Sequence, residues 1–450
     1  MISILNALIV NEGRVIKGNL KIADTLLTEV KPVGEPFVAE GEVIDAEGYY
    51  VMPGVIDEHV HFREPGLTQK ADIQSETKAA AAGGVTTFFD MPNTKPQTTN
   101  VASLDEKIGL GAEKSLINYA FYLGATNDNI EELRAVDTTK IPAVKLFMGA
   151  STGNMLVENQ ESLKDVFDVA KAKGLPVVTH CEDSEMIAAN EARIRSAVGD
   201  DAGVEYHPVI RDEAVCLSST RKALSLAQES GVRLLVAHVS TAAEVEEITK
   251  CAADVKAEVC VSYLYLNSND YATLGGRMKC NPAIKTPEDQ QHLLRSLTDG
   301  KIYTIATDHA PHLLADKQGG VFKATSGMPS LQFSLPLMLQ LTDRGVLDVE
   351  TVARLMSHNP AHYFGVQRRG FIREGYKADL VLLKHLDQPH TITDADVESK
   401  CAWTPFAGQQ TNWQVEATFC NGTRVYQHGQ GFVASEYRGE AVEFDHGHNA

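Results

Sequence analysis

Apolar runs of strand length alternate with amphipathic helical segments through the middle of the chain. The runs are rich in Val, Ile, Leu and Phe, and segments with helical periodicity separate most of them. They lie at residues 54–59, 85–90, 118–123, 142–147, 176–180, 233–238, 257–262 and 302–308. Eight strand–helix units over about 310 residues are typical of a (β/α)8 barrel. A doubly wound sheet is the alternative, but the first run lacks the Gly-rich phosphate loop that such a fold would need.

The two ends of the chain show a different pattern. Short alternating strands, separated by Gly and Asn, fill the first 50 or so residues and return beyond about residue 365. This predicts an α/β protein with a (β/α)8 TIM barrel at residues 53–364 and a small β-sandwich domain formed from residues 1–52 and 365–440. The final segment, residues 439–450, is polar and is expected to fray.

The composition is that of a folded globular protein, with 450 residues of which 43% are hydrophobic and 22% charged. Seven cysteines, an odd number without a CxxC pair, favour reduced thiols and a cytoplasmic location. No signal peptide is evident, and no apolar run approaches the roughly 20 residues of a membrane helix. The net charge of -19 argues against a nucleic-acid partner. An anionic substrate would therefore need local positive groups, and we expect an enzyme that acts on a small molecule.

Polar side chains mark the carboxyl ends of the predicted barrel strands, where barrel enzymes carry their reactive groups. One such histidine is more often structural, but several together favour a metal site. The candidate ligands are His59, His61, His180, His238 and Asp308. Imidazole and carboxylate without cysteine suit a borderline divalent ion such as Zn²⁺, with positions left open for water. His59 and His61 are two residues apart, so on a strand they face the same side and can bind one ion together.

Lys145 is unusual because it lies inside the apolar segment AVKLFM. A buried ammonium is costly, so the amine must be neutral, paired or chemically changed. It is either a rim lysine that holds an acidic neighbour, or a carbamate whose two oxygens bridge two metal ions. Asp308 also has two interpretations: a ligand that accepts a proton from water, or the N-cap of a helix.

Six segments together resemble one known family, the dihydroorotases of the amidohydrolase superfamily. They are DEHVHFREPG (57–66), MPNT (91–94), the lysine in AVKLF, THCED (179–183), VAHVS (236–240) and ATDHAPH (306–312). The resemblance covers essentially the whole chain. It implies two zinc ions per subunit, bridged by a carboxylated lysine and by a hydroxide that acts as the nucleophile. The implied reaction is the reversible closure of N-carbamoyl-L-aspartate to L-dihydroorotate in pyrimidine biosynthesis.

The resemblance also implies a role for individual residues. The implied metal ligands are His59, His61, Lys145, His180, His238 and Asp308. The first two histidines would hold the more buried zinc and the other two the second zinc, with the carboxylated Lys145 between them. Asp308 would be both ligand and proton shuttle, and it is the expected catalytic residue.

The substrate carboxylate would be held by Arg63, Asn93 and His312, while Asn281 would line the pocket. A guanidinium can pair with a carboxylate in a bidentate fork, which makes this role for Arg63 physically reasonable. The alternative is that Arg63 forms only a surface salt bridge, which would contribute little to stability.

Some features of the sequence do not decide the identity of the substrate. Tyr263 and Tyr265 stand where relatives carry polar pocket residues, and we expect both to pack in the core without a catalytic role. The loop at residues 319–330 is rich in Gly and Ser and could close over a substrate. A dihydropyrimidinase, hydantoinase or allantoinase is the nearest alternative function, and a catalytically silent scaffold subunit is the second. A homodimer would be ordinary for the family.

Overall fold

A computed structural model describes residues 1–149 and 155–447 of the chain. The amino-terminal segment forms the strands β1 (Ile2–Asn11), β2 (Arg14–Ala23), β3 (Leu26–Pro32), β4 (Glu42–Asp45) and β5 (Tyr50–Pro53). The barrel strands follow as β6 (Val55–Val60), β7 (Val85–Asp90), β8 (Asn118–Phe121), β9 (Leu123–Gly124), β10 (Val144–Met148), β11 (Val177–Cys181), β12 (Leu234–Val236), β13 (Val255–Cys260) and β14 (Thr304–Ala306).

Helices connect the barrel strands and cover the outside of the barrel. They are α1 (Ile73–Ala82), α2 (Val101–Lys114), α3 (Ile130–Ala135), α4 (Gln160–Ala172), α5 (Ser184–Val198), α6 (His207–Ile210), α7 (Glu213–Ser230), α8 (Ala242–Lys250), α9 (Val261–Tyr265), α10 (Tyr271–Leu274), α11 (Pro287–Thr298), α12 (Ser334–Asp343), α13 (Val349–Ala353) and α14 (Asn359–Phe364). Several begin at a side-chain cap; Asp72, for example, accepts the backbone N–H of Ser75 at the start of α1.

The predicted barrel is confirmed. Strands β6, β7 and β8 pair in parallel, and so do β9 to β14 in their chain order. The third barrel strand is interrupted at Tyr122, so that β8 pairs with β7 while β9 pairs with β10. The backbone N–H of His61 donates to the carbonyl of His309 over 2.7 Å, which joins the first barrel strand to the segment after the last one. All strand carboxyl ends therefore open on one face.

The terminal segments form one β domain, as the sequence predicts. The carboxyl-terminal strands are β15 (Leu380–Thr391), β16 (Gln410–Cys420), β17 (Thr423–Gln427) and β18 (Gly431–Phe432). The sheet order is β18-β17-β16-β15-β5-β1-β2-β3, with β4 paired to β1, so that β5 and β15 join the two ends of the chain. An apolar core built from both ends fills this domain; it includes Ile4, Leu20, Leu380 and Phe419.

The expectation of a frayed carboxyl terminus is wrong as far as residue 447. Val442 and Phe444 are buried, and the Phe444 ring meets Phe89 edge-on at 5.4 Å between centroids. The backbone N–H of Phe444 donates to the carbonyl of Thr139 over 3.0 Å. Two apolar residues in a polar segment are sufficient to anchor it once a hydrophobic surface is available. Residues 448–450 lie outside the described part of the chain.

Along the described chain, no helix has the length and apolar character required to cross a bilayer.

Candidate active site

A cavity of about 290 Å³ opens at the carboxyl ends of the barrel strands. Every predicted site residue except Lys145 lines it. These residues are His59, His61, Arg63, Asn93, His180, His238, Asn281, Asp308 and His312. The structure therefore brings together groups that are up to 253 positions apart in the sequence (312 minus 59).

Three of the predicted ligands form a compact cluster. His61 Nε2 lies 2.9 Å from Asp308 Oδ1, and His59 Nε2 lies 3.4 Å from the same oxygen. One ligand atom from each residue falls within 4.8 Å of the others, close enough to share an ion. Burial alone would raise the pKa of Asp308, but His59 and His61 outweigh it and lower that pKa to about 2. Asp308 is therefore ionised at neutral pH.

A histidine pair lies beside this cluster. His180 Nδ1 is 2.9 Å from His238 Nε2, and the ring of His238 lies 5.2 Å from that of His59 between centroids. Burial lowers the pKa of His238 well below its ordinary value, so the neutral imidazole that a metal needs is the favoured form. The four histidines and Asp308 thus offer two adjacent groups of ligand atoms.

Lys145 lies behind the cavity wall on β10. The residue is fully buried, and its Nζ has no hydrogen-bond partner among the described residues. Burial lowers the pKa of this amine to about 8, which raises its neutral, nucleophilic fraction. An unpartnered buried amine beside a histidine cluster fits a carboxylated lysine between two cations, and it does not fit a rim lysine paired with an acid.

Two buried glutamates contact the candidate ligands, and neither was identified from the sequence. Glu258 Oε1 lies 2.7 Å from His59 Nδ1 and also accepts the backbone N–H of His238. Glu182 Oε2 lies 2.9 Å from His180 Nε2. Such contacts fix the tautomer and orientation of a metal-binding imidazole. Glu182 follows His180 by two residues in THCED, so alternation along a strand could have indicated it, whereas Glu258 carries no local signal.

Asn93 has a contact that the resemblance does not imply. Its Oδ1 lies 2.8 Å from His61 Nδ1, so that this predicted substrate-binding residue also orients a candidate metal ligand. Its Oδ1 is therefore committed to His61, while its amide nitrogen remains a donor for the cavity.

Arg63 and His312 form a hydrogen-bonded pair in the same cavity, and this pair carries a positive charge. Arg63 Nη2 lies 3.0 Å from His312 Nε2, and Arg63 Nε donates to the carbonyl of Pro311 over 3.1 Å. Burial, reinforced by Arg63, holds the pKa of His312 far below its ordinary value, so its Nε2 accepts from the guanidinium. Trp403 Nε1 donates to the carbonyl of His312 over 2.8 Å and fixes that segment. Arg63 is buried and forms no ion pair with any described residue.

Three residues of the cavity have left-handed backbone conformations that are unusual outside glycine. The φ angles are 69° for Arg63, 40° for His238 and 47° for Asp308. Each such conformation costs about 1 kcal/mol or more, and strain of this kind concentrates at functional sites. The cost is met here by the barrel, which fixes the strand ends from which these side chains project.

The remaining candidates have clear positions. Asn281 lines the cavity, and its Oδ1 lies 3.1 Å from His207 Nε2. Tyr263 is buried in α9 and donates to the carbonyl of Pro282 over 2.8 Å, so it supports the Asn281 segment from behind. Tyr265 donates to the carbonyl of Leu337 over 2.5 Å. Neither tyrosine lines the cavity, in keeping with the packing role expected for them.

The loop at residues 319–330 contributes Ser326 and Gly327 to the cavity. Lys317, just before it, is buried and donates to the carbonyls of Lys279, Thr325 and Gly327 over 2.6 to 2.9 Å. These three hydrogen bonds hold the loop against the barrel.

Comparison with known proteins assigns the family. The model of the amidohydrolase family matches residues 50–425. A dihydroorotase of Halobacterium salinarum is 32% identical over 428 residues, covering 94% of this chain and 98% of the relative. An allantoinase of Deinococcus radiodurans is 33% identical over 399 residues, covering 86% of this chain and 87% of the relative. The solved structure of an L-hydantoinase (dihydropyrimidinase) from Arthrobacter aurescens superposes with a TM-score of 0.92 at 28% identity, covering 98% and 99% of the two chains. The chain therefore belongs to the amidohydrolase family and is a cyclic-amide hydrolase.

Proposed function

We propose that the chain is a zinc-dependent dihydroorotase, which interconverts N-carbamoyl-L-aspartate and L-dihydroorotate in pyrimidine biosynthesis. One observation carries this choice of substrate: the guanidinium of Arg63 is buried in the cavity and has no acidic partner among the described residues. Asp308, Asp90 and Glu76 act on this charge only from beyond ion-pair distance. A buried charge is costly unless it is paired, and an anionic ligand would supply the direct ion pair that the guanidinium lacks.

A ring that carries a carboxylate supplies the missing anion. The fork of Arg63 suits a carboxylate, and the amide nitrogen of Asn93 can donate to it as well. Dihydrouracil, unsubstituted hydantoin and allantoin are uncharged rings, and each of them would leave Arg63 without a direct ion pair. Relatives named dihydroorotase support the proposal, while the allantoinase relative makes allantoin hydrolysis the second candidate.

The donor set fits two divalent cations. His59 and His61 would hold one, His180 and His238 the other, and a carboxylated Lys145 would lie between them with Asp308 as a further ligand of the first. Imidazole and carboxylate donors without cysteine suit zinc. When bound, such ions lower the pKa of water toward neutrality and polarise an amide carbonyl.

Asp308 moves the proton. Because it is ionised at neutral pH, its carboxylate can accept the proton that the attacking water loses. It then returns this proton to the ring nitrogen as the C–N bond breaks. The products are a ureido NH₂ group and a carboxyl group that carries the second water proton and releases it to solvent as it ionises. Ring closure follows the same path in reverse. Arg63 and Asn93 hold the substrate carboxylate and so fix the ring relative to Asp308.

The test is a side-by-side ring-opening assay of the zinc-loaded protein on L-dihydroorotate, dihydrouracil and allantoin. The first two share a ring and differ by the carboxylate that Arg63 is proposed to hold. We expect strong preference for L-dihydroorotate. Preference for dihydrouracil or allantoin would assign the corresponding activity instead, and failure to turn over any of them would leave the scaffold function.

A further inference from the structure

Two lysines at the cavity have no assigned role. Lys70 is half-buried and Lys95 is exposed, and both line the cavity together with Arg63. Neither ammonium group forms an ion pair or a side-chain hydrogen bond with a described residue. The groups that bind the carboxylate in the proposed function, Arg63 and Asn93, do not include them.

The backbone fixes both lysines on the same rim. The N–H of Lys95 donates to the carbonyl of Pro65 over 3.2 Å, and the N–H of Lys70 donates to that of Leu67 over 3.0 Å. Gly66, with φ +81°, allows this contact, because a Cβ at that position would lie 1.8 Å from the carbonyl oxygen of Lys95. The two loops are therefore in close contact, and the backbone positions of the two lysines are set on the same rim of the cavity.

The acids of the same loop are already neutralised by other lysines. Lys400 Nζ lies 2.9 Å from Asp72 Oδ2, and Lys114 pairs with Glu64. Those acids are consequently not available to Lys70. Burial, Arg63 and Lys95 lower the pKa of Lys70, and the acid that opposes them is Asp316.

Three cations thus converge on one cavity of a chain whose net charge is -19. The same lining carries one ionised carboxylate, Asp308, so positive charges are in excess. Such an excess in a cleft concentrates field lines and raises the local concentration of ligands of opposite sign. In an acidic protein, such a cluster is the local positive potential that an anionic substrate requires before it can reach Arg63.

We propose that Lys70 and Lys95 form a cationic entrance that attracts carboxylate-bearing rings into the cavity and selects them over uncharged rings. The inference rests on the proposed function and identifies residues that set its substrate class. The two lysines are specificity residues rather than catalytic ones, because the chemistry takes place at the histidine cluster.

The test is the double variant K70Q/K95Q in the zinc-loaded protein. We expect kcat/KM for L-dihydroorotate to fall about tenfold, through a higher KM at unchanged kcat. Added salt should lower the wild-type kcat/KM more steeply than that of the variant, because screening removes an attraction that the variant has already lost. For dihydrouracil, kcat/KM should stay within about twofold, since an uncharged ring does not respond to the entrance.

The matched control is K171Q/K222Q, which changes the net charge by the same amount at exposed lysines on α4 and α7. It should behave as the wild type with both substrates. An unchanged kcat/KM for L-dihydroorotate in K70Q/K95Q would overturn the proposal, and so would an equal loss with dihydrouracil. If the double variant has a lower unfolding temperature than the wild type, K95Q alone provides the test, because Lys95 is exposed.

Calorimetric binding of L-dihydroorotate separates the two proposals. If the wild type turns over only an uncharged ring, the proposed function fails. The entrance is then still upheld by about tenfold weaker binding of L-dihydroorotate to K70Q/K95Q, and it is overturned by equal affinity or by no binding to the wild type.

Discussion

The cavity has two walls that are built differently. The histidine wall carries the candidate metal ligands, and the cationic wall carries the positive groups. The histidine wall consists of His59, His61, His180, His238 and Asp308. The cationic wall consists of Arg63, Lys70 and Lys95, with the neutral His312 beside Arg63. The first projects from barrel strands or the residues just after them, and the second lies on the loops that follow.

The histidine wall is already supported from behind. In three of its imidazoles, one ring nitrogen lies within 2.9 Å of a side-chain oxygen. The contacts are His59 Nδ1 with Glu258, His61 Nδ1 with Asn93 and His180 Nε2 with Glu182. Orientation by such contacts is what metal binding requires. The cationic wall lacks corresponding direct contacts, because none of its three charges forms an ion pair with an acid among the described residues.

The difference suggests that the histidine wall serves the reaction common to cyclic-amide hydrolases, whereas the cationic wall determines the substrate. A supported histidine wall suits any cyclic amide, and the chain is about equally similar to a dihydroorotase and to an allantoinase. A cationic wall without direct ion pairs to the described residues favours an anionic ligand. Substitutions in each wall should therefore affect different properties of the enzyme.

Replacing Asp308 with Asn should have the largest effect. The amide cannot accept the proton from water, so kcat for ring opening should fall about a thousandfold with the fold retained. Steady-state kinetics, zinc content by mass spectrometry and circular dichroism provide the measurement. Asp299→Asn, at an exposed position after α11, is the control. Near-full turnover by Asp308→Asn would refute the proton-transfer role.

The lowered pKa of Glu182 predicts how the stability of the protein depends on acidic pH. Burial raises the pKa of Glu182, but Arg211 and His180 outweigh it and lower that pKa to about 2, against 4.5 ordinarily. The folded state therefore binds this proton less tightly than the unfolded state. The resulting stabilisation of about 3 kcal/mol is complete above pH 4.5 and is lost as the pH falls through about 2.

Denaturant titrations at several acidic pH values measure this effect. In the variant Glu182→Gln, the free energy of unfolding should fall less steeply with decreasing pH over that window. Glu185→Gln, at the exposed start of α5, should retain the wild-type slope. Identical acid slopes for all three proteins would show that Glu182 carries no such stabilisation.

Arg63→Gln should affect the cationic wall selectively. Loss of a charge-assisted pair costs about 2 kcal/mol, so kcat/KM for L-dihydroorotate should fall about thirtyfold. For dihydrouracil it should change by less than about threefold, because no carboxylate is lost from the contact. Arg193→Gln, at an exposed position on α5, is the control. Equal losses on the two rings would assign Arg63 to structure rather than to substrate recognition.

Glu258→Gln should weaken the histidine wall without touching the cationic wall. Because Glu258 orients His59 and holds the backbone of His238, the variant should bind zinc about tenfold more weakly. Competition with a chelator measures the affinity, and Glu229→Gln on the surface of α7 is the control. An unchanged zinc affinity would mean that the contact does not support a metal ligand.

Much of the fold could be predicted because its signals are local. The barrel strands repeat a strand–helix pattern, and each predicted run overlaps a strand of the structure. The break of the third strand at Tyr122 and the docking of Phe444 could not be predicted in this way. Both depend on surfaces contributed by distant parts of the chain, and two apolar residues in a polar tail give too weak a signal.

The same distinction between local and long-range signals applies to the residues of the site. Histidines at strand ends are visible in the sequence because the barrel places all such ends on one face. The support of His59 by Glu258 is not visible, since 199 positions separate them. Lys70 and Lys95 are also ordinary in the sequence, where a lysine on a loop indicates only a solvated surface.

By itself, the sequence determined the barrel, the terminal β domain and the residue types gathered at the strand ends, because periodicity and strand-end position follow from the local chain. Tertiary structure alone decided which histidine nitrogens Glu258, Asn93 and Glu182 contact. It also decided that, among the described residues, Lys145 Nζ has no hydrogen-bond partner and Arg63 forms no ion pair. Hydrogen bonding, burial and charge compensation are properties of neighbours in space, and the chain brings those neighbours together only when the barrel closes.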